Sequence, residues 1–364
     1  MGAVHGVYLK YVGLSAVSFA GYHFVIGSFG PLEPLPLASS FSDGVRILAT
    51  SSSSSDDASS LSSSSLLPLA RAATAAMLSY STFLNGTIAV LFQLRRGMSL
   101  IGKDTKKGTI PLWSYVLLFP FHGPTYAYTY LHTKMGKMRP PSAAPSSDES
   151  HRKKNDDEHE QQKVPVPVAS QVQPGWWVGG CYSHEIQLPM QQPWAGIVDL
   201  TVEFPEKCRA NTLNYLCLPT WDGVPCSPEQ LEEAAVFCME ARKDWIRWWK
   251  QNYSRGGNDN AVDLADSQKQ SMQQQQTEQL IPHILIHCAH GRGRSTTVMC
   301  AAMVKMGMFS HWEEALEQGI RPSRPVCKLN AKMRKNLEEW QRKYVDHVSA
   351  GVGVDSETKR KKGD

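Results

Sequence analysis

Hydrophobic positions are distributed along this chain in two ways. Up to residue 131 they form long blocks, Tyr8–Gly30, Leu66–Leu94 and Ile110–Leu131. Beyond residue 173 they fall into short runs separated by amphipathic stretches. The first block carries Lys10 as its only fixed charge, and Ala72 to Leu94 carries none. About 20 apolar residues suffice to span a bilayer, so the pattern predicts an N-terminal hydrophobic, membrane-associated helical region over residues 1–139. Two other readings stay open: the first block as a cleaved targeting segment, and all three blocks as helices of a soluble accessory domain. The serine-rich tract Ser51–Ser65 cannot bury a core and reads as a solvated linker.

Charge between the blocks orients them. The loop after the first block holds Glu33, Asp43, Asp56 and Asp57 against Arg46, whereas Arg95, Arg96, Lys103, Lys106 and Lys107 follow the second. The positive-inside rule therefore places the 95–109 loop in the cytosol if both blocks span. Lys134, Lys137 and Arg139 follow the third block, which Phe119–Pro124 interrupts. Two successive basic loops on one side imply that this block turns back as a re-entrant or interfacial hairpin. Trp113, Tyr115, Tyr126, Tyr128 and Tyr130 would be its interface anchors.

Residues 140–172 are proline-rich and then mixed in charge, a tether. The globular pattern covers 173–347. Strands are expected at Trp176–Gly180, Ala195–Val202 and Asn214–Leu218. A helix begins at Ser227-Pro228-Glu229, with an N-cap serine, proline in the first turn and early acids, and runs to about Asn252. Residues 255–279 are Gly/Asn- and then Gln-rich, an insertion without an apolar face. A short strand Ile284–Ile286 and a helix Thr297–Met306 come next. A short helix at His311–Gln318, a turn and a terminal helix Leu329–His347 complete the pattern, and 348–364 is a basic tail. This order implies an α/β domain with a central sheet flanked by helices.

Composition changes little in this picture. At 364 residues and a net charge of +4, bulk electrostatics give no case for a nucleic-acid partner. All eight cysteines lie between Cys181 and Cys327, with no CxxC pair and no histidines placed to complete a zinc site. Free thiols in a reducing compartment fit better than a disulfide frame.

The chemistry concentrates at His287-Cys288-Ala289-His290-Gly291-Arg292-Gly293-Arg294-Ser295, between the last strand and its helix. A strand, a glycine-containing turn and a helix N-terminus gather unpaired N–H groups into an anion site. A cysteine at the mouth of such a turn is stabilised as thiolate. Arg294 can come back around the loop and offer a planar fork to two oxygens. Asp222, in a Trp-Asp-Gly turn after a strand, is the candidate acid. Asp199, mid-strand, is the fallback.

His287-Cys288-x5-Arg294-Ser295 resembles the phosphate-binding loop of the cysteine-dependent protein tyrosine phosphatase superfamily, in particular its dual-specificity branch. Pro219-Thr220-Trp221-Asp222 resembles that branch's mobile acid loop. The resemblance covers roughly 173–347 and implies phosphomonoester hydrolysis through a phosphocysteine intermediate, without metal or cofactor. It implies Cys288 as nucleophile, Arg294 and the N–H groups of Ala289, His290, Gly291, Arg292 and Gly293 as the phosphate cradle, and Ser295 as donor to the sulfur. His287 would support the loop through nearby backbone, and Asp222 would be the acid. The substrate expected is a phosphoprotein. A phospholipid is the alternative, because His290 and Arg292 add cations inside the loop as in phosphoinositide-directed members. An inactive phospho-binding module is a third reading, opposed by the presence of cysteine, arginine and acid together.

Overall fold

The computed structural model describes residues 2–29, 63–138, 140, 163–188, 192–253 and 281–346. Most of the serine tract, residues 141–162 of the tether, the 255–279 insertion and the 348–364 tail lie outside the described residues. The chain divides into two compact units, Tyr8–Leu94 and a second made of Met1–Val7 with Arg95–Asp364.

The first unit is built from α1 (Gly2–Phe29) and α2 (Ser63–Leu94). The two helices run antiparallel and meet through small residues. Ser15 Oγ donates to Thr82 O at 2.9 Å, Ser18 and Ser81 share a hydroxyl contact at 2.9 Å, and Gly21 lets Leu78 approach. Arg71 returns its guanidinium to the carbonyls of Val25 and Ile26. Val17, Phe24 and Phe83 point outward. Tyr8–Ser28 and Ala70–Leu94 are long and apolar enough to cross a membrane.

From Arg95 onward the body is a mixed α/β fold. A five-stranded sheet has the order β3-β4-β7-β5-β6, from β3 (Ala169–Gln173), β4 (Trp176–Gly179), β5 (Trp194–Thr201), β6 (Thr212–Thr220) and β7 (Ile284–His287). Within this sheet the β3–β4 pair is antiparallel and the other pairs are parallel. Two-residue strands β1 (Lys137–Met138) and β2 (Val164–Pro165) form a separate ribbon. The central strand β7 is buried on both faces, which is why its sequence is uninterrupted Ile-Leu-Ile rather than alternating. Register aligns Gly179 and Asp199 with His287, so three parallel strands end side by side at Cys288. Ligands bind at such carboxyl ends.

Helices cover the sheet. At α5 (Pro228–Tyr253) a reciprocal capping box fixes the start: Gln230 N donates to Ser227 Oγ, and Ser227 N donates to Gln230 Oε1. Leu231, Ala235, Cys238 and Trp245 of this helix bury against the sheet. The helix α6 (Arg294–Lys305) is buried almost throughout. One helical turn, Trp312–Glu314, continues as a π-helical segment, Ala315–Ile320. The helix α7 (Ala331–Gln341) follows, with Asn330 accepting from Met333 N as its cap.

Two expectations need correction. The sheet begins at Ala169, inside the stretch read as tether; a short strand beside Pro165 and Pro167 carries little alternation. The block 110–131, expected as a re-entrant or interfacial hairpin, is a helix pair seated on protein by one face. It forms α3 (Leu112–Leu117) and α4 (Phe119–Met135). Phe121 is fully buried, edge-on to Trp221 at 5.9 Å, and Tyr126 packs on Phe204 at 4.7 Å. The opposite face, with Leu112, Val116 and Phe119, is exposed.

Candidate active site

Cys288 follows β7 directly and is buried; its N–H donates to Gly179 O at 3.2 Å. The next turn is possible only with glycine at 291. Its φ is +64°, and a Cβ there would lie 2.5 Å from the Gly179 carbonyl carbon. Arg324 holds the loop from outside, donating from Nε to Gly291 O at 2.8 Å and from Nη2 to His290 O at 3.4 Å. With those carbonyls held outward, the N–H groups of Ala289, Gly291, Arg292 and Gly293 have no protein acceptor among the described residues. They form an anion cradle at the start of α6.

Ser295 Oγ lies 3.4 Å from the Cys288 sulfur. Burial pushes the thiol up, but the Arg294 guanidinium and hydrogen bonds from Ser295 more than offset this. The thiol therefore lies below its ordinary range.

Arg294 is 1% exposed and heavily held. Nη1 donates to Leu200 O at 2.8 Å and to Thr220 O at 2.5 Å. Nη2 donates to Glu203 Oε1 at 2.7 Å and to Asp222 Oδ1 at 3.2 Å. Among the described residues its buried Nε has no partner, leaving a donor for a ligand oxygen. Asp222 thus stands at the loop's arginine, with a side chain 22% exposed, as its place after β6 implied.

Asp199 is not available as an acid. It is fully buried; burial raises its carboxyl, but Lys103, His287 and hydrogen bonds hold it at about 2. Lys103 Nζ donates to Asp199 Oδ2 at 2.5 Å and to Thr201 O at 2.7 Å from a position 96 residues upstream. His287 also departs from expectation, because its partner is a carboxylate rather than backbone. Nε2 donates to Glu206 Oε2 at 2.5 Å and lies 3.8 Å from Asp199. Burial lowers this imidazole, yet Glu206 and Asp199 raise it to about 9. Asp199, Glu206 and His287 bring ligand-type atoms within 4.8 Å of one another. The Lys103 ammonium and the His287 imidazolium already supply the positive charge there, so the cluster is an ion network behind the loop.

Lys103, Glu203, Glu206 and Arg324 were not read as site residues from the sequence. Glu203 and Glu206 carry a readable signal, two acids just beyond a strand that ends at the loop's sheet edge. Lys103 carries none, since only the fold brings it to Asp199. Lys103→Met should lower stability by about 3–5 kcal/mol, because it leaves a buried carboxylate unpaired. Lys103→Met/Asp199→Asn should lose markedly less, and denaturant unfolding of the full-length chain measures both. Equal losses would mean that the pair is not coupled.

No family model and no curated protein matches the chain. Solved structures do. Human DUSP28 aligns at 16% identity over 49% of this chain and 95% of its own, with TM-score 0.33. PTPMT1 in complex with PI(5)P aligns at 14% identity over 49% and 96%, with TM-score 0.32. DUSP15 aligns at 22% identity over 47% and 86%, with TM-score 0.28. Over about half its length the chain aligns with these three structures, each less than 25% identical to it.

Proposed function

We propose that the chain is a cysteine-dependent phosphomonoester hydrolase of dual-specificity type, acting on phosphoproteins. The observation that carries this reading is one buried cup holding a thiol of lowered pKa, a guanidinium N–H without a protein partner among the described residues, and a mostly buried carboxyl group. In the reaction, the Cys288 thiolate attacks phosphorus while the bond to the leaving oxygen breaks. Asp222, protonated, gives its proton to that oxygen. The loop N–H groups and Arg294 hold the phosphoryl oxygens as charge develops. Water then attacks the phosphocysteine, Asp222 takes its proton, and the sulfur leaves as thiolate with the Ser295 hydroxyl donating to it. Asp222 must move from Arg294 to the leaving oxygen, and Gly223, at φ +78°, gives its turn the freedom to do so.

Arg294→Lys tests the cradle. An ammonium cannot span two oxygens, and kcat on an aryl phosphate should fall by about 10²–10³. A loss below tenfold would remove Arg294 from the reaction. A phospholipid substrate is the second reading, favoured by the two apolar helices and by Arg292 at the loop. A phospho-binding module without turnover fits less well, since nucleophile, guanidinium and acid are all retained.

We further propose a membrane-tethered enzyme with a cytosolic catalytic body, spanning with α1 and α2, as a free low-pKa thiol requires. Asn252-Tyr253-Ser254 is its reporter, and Asn252 is exposed at the end of α5. In cells with a secretory pathway Asn252 should stay unglycosylated, while a sequon engineered into 51–65 should be modified. A glycosidase-sensitive band lost in Asn252→Gln would overturn the cytosolic placement.

A further inference from the structure

Residues 95–110 join α2 to α3, far upstream of Cys288, yet three of their groups reach the surroundings of the Cys288 loop. Arg96 O accepts from Nε1 of Trp221, the residue before Asp222, at 2.8 Å. Gly108 O accepts from Glu206 N at 2.8 Å. Between them, Lys103 Nζ donates to Asp199 Oδ2 at 2.5 Å, Thr201 O at 2.7 Å and Thr201 Oγ1 at 3.0 Å. The local fold aims the lysine. Ile101 is buried, Asp104 Oδ1 accepts from the N–H groups of Lys106 and Lys107, and Gly108 at φ +71° closes the turn. A Cβ at 108 would lie 2.6 Å from Tyr215 Oη, so the segment is fitted closely against the sheet.

The Lys103 side chain is 1% exposed and that of Asp199 is fully buried. Burial weakens the ammonium as a base, but Asp199 more than offsets this, and Lys103 stays charged. Asp199 and Glu206 are the carboxylates of the network, Lys103 and His287 its cations. Tyr215 donates to Asp199 Oδ2 at 2.9 Å and the Cys217 thiol lies 4.0 Å from it; burial and Asp199 keep both protonated. Cys208, beside Glu206, is held neutral by burial and by that carboxylate. Two positive and two negative charges therefore cancel behind His287, the residue before Cys288. On the loop side the thiol faces Arg294 with its carboxylates Glu203 and Asp222. The cations Arg292 and Arg324 and the neutral thiols of Cys181, Cys226 and Cys327 complete its surroundings. Removing the Lys103 charge leaves the network one charge negative beside a thiol that must ionise. A neighbouring negative charge opposes that ionisation, and more strongly in a dry interior than in water.

We propose that Lys103, supplied from outside residues 173–347, is a positioning residue for the reaction at Cys288: by neutralising Asp199 it keeps the network behind His287 balanced, so that the thiolate can form. This rests on the phosphatase reading of Cys288. Residues 95–110 are then part of the reacting centre's support rather than a connector between helices.

The full-length chain in detergent is compared with Lys103→Met, Asp199→Asn and Lys103→Met/Asp199→Asn across pH, with melting curves to show which variants are folded. One readout is the rate of iodoacetamide alkylation at Cys288, mapped on its peptide so that the other cysteines do not contribute. The other is kcat/KM on p-nitrophenyl phosphate. In Lys103→Met the acid limb of both profiles should move up by about one pH unit, a roughly tenfold loss of thiolate on the acid side. Asp199→Asn leaves the network one charge positive and should move the limb down. The double variant restores the balance and should lie within about 0.3 unit of wild type. Lost packing alone does not move the limb in opposite directions for the two partners. If Lys103→Met does not fold, Asp199→Asn and the double variant carry the comparison, the first shifted down and the second not. Acid limbs that coincide in the folded variants overturn the role of Lys103 and leave the phosphatase reading standing. Wild type without turnover of p-nitrophenyl phosphate overturns the phosphatase reading, and the alkylation profiles still decide whether Lys103 acts on the thiol.

Discussion

Cys288→Ser should leave the chain folded and remove turnover of an aryl phosphate, a loss on the order of 10⁴ or more, as for other nucleophile knockouts. The substitution changes one buried atom for a slightly smaller one, beside Ser295 and the apolar start of α6, so the unfolding midpoint should barely move. The reaction is another matter. Arg294 and Ser295 bring the thiol below its usual range, but a hydroxyl starts far too high for the same two groups to ionise it. Turnover within tenfold of wild type would remove the covalent mechanism. A lost fold would make the result uninterpretable, so the melting curve belongs with the assay.

Asp222→Asn has the next largest expected effect, and its size depends on the substrate. An alkoxide such as that of serine leaves poorly unless protonated in the transition state, and a positioned acid contributes about 10²–10⁴-fold there. An activated nitrophenolate needs little protonation. The variant should therefore lose about 10²-fold or more on a phosphoserine peptide and less than about tenfold on p-nitrophenyl phosphate. Asparagine keeps the size of Asp222 and can still accept from Arg294 Nη2, so folding is not the cause of a substrate-dependent loss. Equal losses on both substrates would make Asp222 a structural partner of Arg294. Glu203, 2.7 Å from the same guanidinium, would then be the acid to examine.

What the sequence disclosed was local. Ile284–Ser295 carries strand, turn and helix start within one stretch, and each needs residue types seldom found together elsewhere: a doubly buried β-branched run, glycines at the turn, and small hydroxyl residues entering α6. Ser227–Gln230 likewise announced α5 through its cap. Asp222 was legible because a Trp-Asp-Gly turn after a strand has one place to go, the sheet edge.

The parts missed depend on partners far away in the chain. Lys103 looked like one of several loop lysines that orient a membrane segment, and only the sheet register brings Asp199 to it. Arg324 lay in a turn rich in proline and arginine, with nothing to show that two carbonyls of the Cys288 loop would be its acceptors. The block 110–131 misled for a different reason. Apolar composition does not distinguish a face laid on lipid from one laid on Trp221 and Phe204, and α4 buries Phe121 and Tyr126 in that way. His132 consequently reaches Arg292, a contact that no spacing rule connects.

If phosphate passes through the Cys288 sulfur, a rapid denaturing quench within one turnover traps it there. The full-length chain is mixed with a radiolabelled aryl phosphate, quenched within a turnover, digested and mapped. Label is expected on the peptide containing Cys288, accumulating further in Asp222→Asn and absent in Cys288→Ser. Full turnover by wild-type protein with no label on that peptide, or with label retained in Cys288→Ser, would contradict it.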